Sequence, residues 1–314
     1  MPRNFHTRLA RLAAVLGAAV VAASVLAGGP VPAAQAATAS QWNPGMIVTD
    51  AVFYNSTAMT ATQIQALLVA KGSKCISGAV PCLKDYVTVT PTIEADAYCG
   101  KYAGSSGETA AQVIAKVALA CGINPQVLIA TMQKETSLVT KAAPSTTDYS
   151  RAMGYACPDS SACDLTYAGF FKQVYFAARQ FKVYAKSPTS YTYRAGATFV
   201  IAYSPTSACG GASVYIQNQA TASLYNYTPY QPNAAALSNL YGTGNSCSSY
   251  GNRNFWLFMT DWFAATPIWV SSVAVTPKSV VVEAGKTVSL TATVLPSNAS
   301  SRAVSWASSN PAIA

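Results

Sequence analysis

The acid–base repertoire of this chain is narrow. Its one histidine, His6, lies in a leading stretch that reads as an export signal, so after cleavage no Ser-His-Asp triad, Cys-His pair or histidine-bearing zinc site can form. A glutamate, Glu135, stands near the end of a well-signalled amphipathic helix running from Asn124 to Ser137. A carboxylate there, with no imidazole in the mature chain, points to carboxylate acid chemistry outside the cell. It is either paired with a buried donor or held protonated at the floor of a cleft. The export reading rests on Arg3, Arg8 and Arg11 ahead of an apolar stretch from Leu12 to Ala27, closed by the small-residue cleavage site Ala34-Gln35-Ala36. That stretch is too short and poorly flanked to span a membrane, so no stable membrane insertion is expected after cleavage.

Eight cysteines follow the signal, at positions 75, 82, 99, 121, 157, 163, 209 and 247. An even count in an exported chain favours disulfides over metal ligation, and neither metal nor cofactor is expected. Cys157 with Cys163 is the easiest pair, then Cys75 with Cys82; the other four leave several pairings open. A cysteine-based amidase or peptidase is disfavoured, because there is no histidine base and every cysteine has a candidate partner. Without Arg3, Arg8 and Arg11 the chain carries 17 basic against 11 acidic residues. Such a surplus attracts anionic cell-wall polymers such as teichoic acids, and also aids solubility. Nucleic acid is a poor partner, since there is no dense basic run and no zinc-finger spacing. The 18 tyrosines suit sugar surfaces as well as ordinary cores.

The elements that must position Glu135 can be read along residues 37–266. Thr60 caps a short helix with Gln63 in the box position and Ile64, Leu67 and Leu68 on one face. A second helix runs from Thr109 to Ala120, with Val113, Ile114, Val117 and Leu119 on its buried side. Cys121-Gly122-Ile123 closes it, and Asn124 and Pro125 open the Glu135 helix as N-cap and first residue. Val127, Leu128, Thr131 and Glu135 then recur at helical spacing on one rim. Further helices are expected over Gly169 to Tyr184 and Phe255 to Phe263, with a polar hairpin-like loop near 186–198 and an apolar run from Phe199 to Tyr203 between them. After Thr266-Pro267 the pattern becomes that of strands, Val273 to Val275, Ser279 to Val282, Thr287 to Val294 and Val304 to Trp306, separated by turns that include Leu295-Pro296-Ser297-Asn298. Residues 267–314 thus read as an incomplete β-sandwich, the last part of a fragment or truncated frame.

With these residues in place, the Glu135 helix resembles the catalytic helix of the goose-type lysozyme and soluble lytic transglycosylase superfamily. In that family the acid is usually followed by Ser; here the order is Lys134-Glu135-Thr136-Ser137. A Gly-Leu-Met-Gln-like segment has its counterpart in Ala152-Met153-Gly154-Tyr155, which lacks the Gln. The Ala-Tyr-Asn-x-Gly motif has an echo in Leu224-Tyr225-Asn226-Tyr227, with Thr228 where Gly is expected. The segments from Gln217 to Thr221 and from Tyr250 to Trp256 also resemble exported proteins of actinobacteria. The tail resembles the bacterial immunoglobulin-like domain (group 2) of surface proteins, in its Val-x-Val-x-Pro opening, its Gly285 to Ala292 centre and its Val304 to Asn310 segment.

These resemblances imply a mainly α, lysozyme-like, disulfide-stapled domain followed by a partial all-β immunoglobulin-like sandwich. They imply a secreted, wall-associated glycosidase of the β-1,4 bond between N-acetylmuramic acid and N-acetylglucosamine in peptidoglycan glycan strands. Glu135 would be the general acid, kept protonated by an apolar setting that Val127, Leu128, Thr131 and Met132 help to supply. Inverting hydrolysis requires a second carboxylate to activate water. Asp148, Asp159 and Asp164 are nearest along the chain, and Asp148 is preferred because it lies outside the cysteine loop. A lytic transglycosylase needs no such base, and neither does substrate-assisted hydrolysis. Tyr155, Tyr203, Tyr225 and Asn226 are the expected saccharide-positioning residues. The competing expectation is a noncatalytic wall-binding or adhesion protein that retains the scaffold.

Overall fold

A computed structural model describes residues 36–158, 161–267, 270, 272–295, 299 and 302–310. The export stretch up to residue 35, Asp159 and the expected turn at 296–298 lie outside the described residues. In chain order the helices are α1 (Asp50–Phe53), α2 (Ala61–Lys71), α3 (Ala110–Cys121), α4 (Pro125–Thr136), α5 (Thr146–Ser150), α6 (Phe170–Lys186), α7 (Gln219–Tyr227), α8 (Ala234–Ser238) and α9 (Gly251–Phe263). The strands are β1 (Val87–Thr90), β2 (Ser105–Thr109), β3 (Ala197–Ala202), β4 (Gly211–Ile216), β5 (Ser272–Thr276) and β6 (Thr291–Leu295). They pair as three antiparallel two-stranded sheets, β1 with β2, β3 with β4 and β5 with β6. The fold is mainly α, with the β5–β6 pair following the helical part.

Local chemistry accounts for the helix starts. Thr60 accepts from the backbone N–H of Gln63, and Gln63 Oε1 accepts from the backbone N–H of Thr60 at 2.8 Å. Thr109 and Gln112 repeat that reciprocal cap, so Thr109 precedes α3 rather than starting it. Gly122, with φ 62° and ψ 40°, ends α3 in the left-handed region that favours glycine. Asn124 Oδ1 then accepts from Gln126 N at 2.8 Å, and Asn124 Nδ2 donates to Val52 O at 2.8 Å. The second bond ties the start of α4 to α1.

The core is built where α3 packs on α2, α4 and α6, and α4 on α9. Val113, Ile114, Val117 and Ala118 of α3 are buried, as are Phe170, Val174, Ala178 and Phe181 of α6 and Phe255, Trp256 and Met259 of α9. Leu119, expected on the buried side of α3, is instead 58% exposed. Two residues beyond Val117 it has turned some 200° around the axis, and Ala118 and Cys121 complete the buried stripe. The apolar run after the polar loop is β3, and its partner β4 completes a hairpin that was not read from the sequence.

All eight cysteines are paired, Cys75–Cys82, Cys99–Cys121, Cys157–Cys163 and Cys209–Cys247. The two local pairs are those expected. Among the described residues no helix is long and apolar enough to cross a membrane.

Candidate functional site

Glu135 leaves the last turn of α4 at the edge of a cleft of about 800 Å3, lined also by Lys134, Gly154, Tyr227, Thr228, Tyr230, Tyr250 and Gly251, with Pro158, Pro205 and Ser248 farther round its walls. A groove of about 730 Å3 along α2 is comparable in size. That groove offers one carboxylate, Asp85, which is already paired with Lys84 at 2.9 Å, and no aromatic ring.

Inside the cleft the Glu135 carboxylate is held on two sides. Its Oε1 accepts from Lys134 Nζ at 2.8 Å; the Lys134 side chain is 2% exposed and that of Glu135 27%. Lys134 also donates to Thr228 Oγ1 at 2.6 Å and stands 5.5 Å from the Tyr227 ring centre, a cation–π distance. On the other side lies Gly154, whose backbone φ is +65° and where an added Cβ would sit 2.7 Å from Glu135 Oε2. Only a glycine allows this approach without displacing the carboxylate. Tyr227 donates from its hydroxyl to Met153 O at 2.7 Å. Burial, followed by the nearby Glu135 charge, holds that phenol well above its usual range. Val127, Leu128, Thr131 and Met132 are fully buried, but none lines the cleft. The immediate neighbour of the carboxylate is therefore a cation and not the apolar wall that was expected.

Three separate stretches thus meet here: the end of α4, Met153–Gly154, and Tyr227–Thr228 at the end of α7. They are the stretches that carried the resemblance. Among the described residues, Asp148, Asp164, Tyr155, Tyr203, Tyr225 and Asn226 do not line the cleft. Asp148 lies in α5, where its Oδ1 accepts from Lys141 at 2.6 Å and its Oδ2 from the Ser145 hydroxyl and backbone N–H. Burial raises its proton affinity, but the Lys141 and Ser145 bonds outweigh this and hold it below the ordinary aspartate value. With Oδ1 paired to Lys141 and Oδ2 engaged in the helix cap, Asp148 is poorly placed to activate water. Asp164 caps a 3-10 turn through Thr166 N at 2.9 Å.

The saccharide candidates are also engaged in the fold. Tyr225 is fully buried and donates to Pro44 O at 3.0 Å. Asn226 Nδ2 donates to Tyr193 O at 2.8 Å and its Oδ1 accepts from Tyr193 N at 3.0 Å, so its amide pins a loop. Tyr155 packs edge-on to Tyr167, with ring centres 5.0 Å apart. Tyr203 is half-buried after β3, its backbone N–H donating to Gly210 O. The tyrosines that line the cleft are Tyr227, Tyr230 and Tyr250. Two of them stood in quoted segments without being singled out, and only the glycine after Met153 hinted at a close approach. No group of three potential metal ligands occurs among the described residues.

No curated protein and no solved structure matches the chain. Family matches cover Glu135 and Gly154, whereas Tyr227, Thr228 and Tyr250 lie beyond them. Residues 46–198 match the family described as LasA, N-terminal domain, and residues 269–314 match the bacterial Ig-like domain, group 2.

Proposed function

We propose that this cleft takes peptidoglycan glycan strands outside the cell and that Glu135 acts there as the general acid of a glycosidase. The observation that carries the reading is the convergence of Glu135, Gly154 and Tyr227–Thr228 on one cleft from three distant parts of the chain. In the reaction, the Glu135 proton goes to the glycosidic oxygen as the bond from muramic C1 to that oxygen breaks. The muramic 6-hydroxyl attacks C1 to give an anhydro end, and its proton returns to the Glu135 carboxylate. This route runs on a single carboxylate, whereas inverting hydrolysis requires a second; Asp159, next to the lining residue Pro158, lies outside the described residues. Tyr227, Tyr230 and Tyr250 bring aromatic rings to the lining of the cleft, a surface type that suits sugars. The basic balance of the chain adds attraction to anionic wall polymers.

A second reading is favoured by one specific contact. Glu135 Oε1 is 2.8 Å from the nitrogen of the buried Lys134 side chain, a contact that a purely structural role of Glu135 explains as well. In this reading the protein is a noncatalytic wall-binding or adhesion module. Mass spectrometry of purified peptidoglycan after incubation with the protein or with Glu135→Gln separates the two. The glycosidase reading expects anhydromuramyl ends that vanish in the variant; reducing muramic ends lost in the variant would make it a hydrolase. No soluble product at any pH from about 4 to 8, with both proteins still sedimenting with the wall, would establish the binding module.

A further inference from the structure

Gln173 does not line the cleft, yet it controls one of its walls. The residue lies on α6, is 1% exposed, and uses its whole amide on backbone. Its Oε1 accepts from Met153 N at 3.2 Å and Tyr155 N at 3.1 Å, while its Nε2 donates to Tyr155 O and Tyr167 O at 3.0 Å each. Two acceptor and two donor positions are the full capacity of a glutamine amide. Three of the four bonds fall on the residues that flank Gly154. From the opposite side the Tyr227 hydroxyl holds Met153 O.

The loop apex is therefore clamped between α6 and α7, and Gly154 is pressed against the Glu135 carboxylate, close enough that a Cβ would lie 2.9 Å from its Cδ. We propose that Gln173 is a positioning residue for Glu135: by holding Met153, Gly154 and Tyr155 it fixes the surface against which Oε2 rests, and so sets where the carboxyl points. This inference rests on the glycosidase reading, and misplacement of a reacting group by about 1 Å costs up to about 100-fold in rate.

Steady-state rates on soluble, uncross-linked glycan strands test it with the wild type, Glu135→Gln, Gln173→Glu, Gly154→Ala and the Gln173→Glu/Gly154→Ala double variant. Gln173→Glu keeps the shape and the acceptor but removes both donors, whereas Gly154→Ala disturbs the same contact from the loop side. The expected result is a kcat lower by about 10-fold or more in each, with KM within about twofold. The double variant should be no slower than the slower single, because both changes break one contact. Thermal midpoints measured alongside give the folded fraction of each variant. Wild-type kcat in Gln173→Glu, with Glu135→Gln inactive, overturns this proposal and leaves the glycosidase reading standing. So does a double variant whose kcat losses multiply, or a kcat loss that only tracks the unfolded fraction. No turnover by the wild type, or full turnover by Glu135→Gln, removes both. If Gln173→Glu does not fold, an unchanged kcat in Gly154→Ala is itself enough to overturn the proposal.

Discussion

Lys134 is the residue whose setting most shapes the cleft. A buried ammonium is costly unless its donors find acceptors, and here Glu135 Oε1 and Thr228 Oγ1 supply them. Thr228 stands where the resembled motif has glycine, and its hydroxyl gives that departure a physical reason. The threonine in turn requires room from α9: a Cβ on Gly251 would lie 2.6 Å from Thr228 Cγ2. Replacing Thr228 with Val keeps the volume and removes the acceptor, so the fold should lose about 1–3 kcal/mol. Urea denaturation would show it, and Thr228→Ser should recover most of the loss. A Thr228→Val protein as stable as wild type would mean that solvent already satisfies Lys134.

At the scale of elements, β2 is held to α3 by a buried carboxylate. Glu108 accepts from Tyr102 at 2.5 Å, and from Thr90 and Lys116. Burial pushes its proton affinity up, but the bonds from Lys116, Thr90 and Tyr102 together hold it below the ordinary glutamate value. A folded-state value below the unfolded one contributes stability that is fully present above the unfolded value, about 4.3. That contribution is lost as pH falls through the lower folded value. Glu108→Gln should accordingly be less stable at neutral pH and show a flatter fall in stability below about pH 4.3. Parallel stability curves for wild type and variant across that window would contradict the assignment.

Across the whole molecule, two disulfides adjoin the cleft: Cys157 lines it directly, and Cys247 precedes the lining residues Ser248 and Ser249. The Cys209–Cys247 bridge closes a separation of 38 residues and Cys157–Cys163 one of 6. Loop-closure entropy then assigns about 4 kcal/mol to the first and about 2 kcal/mol to the second. Chemical denaturation of the two double Cys→Ser variants should preserve that order. The reverse order would mean that native-state contacts, rather than the unfolded chain, dominate the effect.

What the sequence determined by itself is local. The Thr60–Gln63 and Asn124–Pro125 starts and the two short disulfides depend on partners a few residues apart, so spacing alone encodes them. Of the strands expected in the tail, Val273 to Val275 and the end of Thr287 to Val294 lie in β5 and β6, whereas Ser279 to Val282 and Val304 to Trp306 are not strands. The mainly α class follows, because periodic apolar stripes need only bury one face. Tertiary structure decided which polar side chains are free to meet a ligand. Tyr225 and Asn226 look equally available in the sequence, yet packing commits them to the core and to a loop, whereas Asp148 is committed locally, by Ser145 three residues before it and Lys141 seven before it. Lys134 and Thr228 are 94 residues apart, and Gln173 reaches Met153 from a different helix. Such pairings are set by how α4, α6, α7 and α9 pack, and no spacing within one element records them.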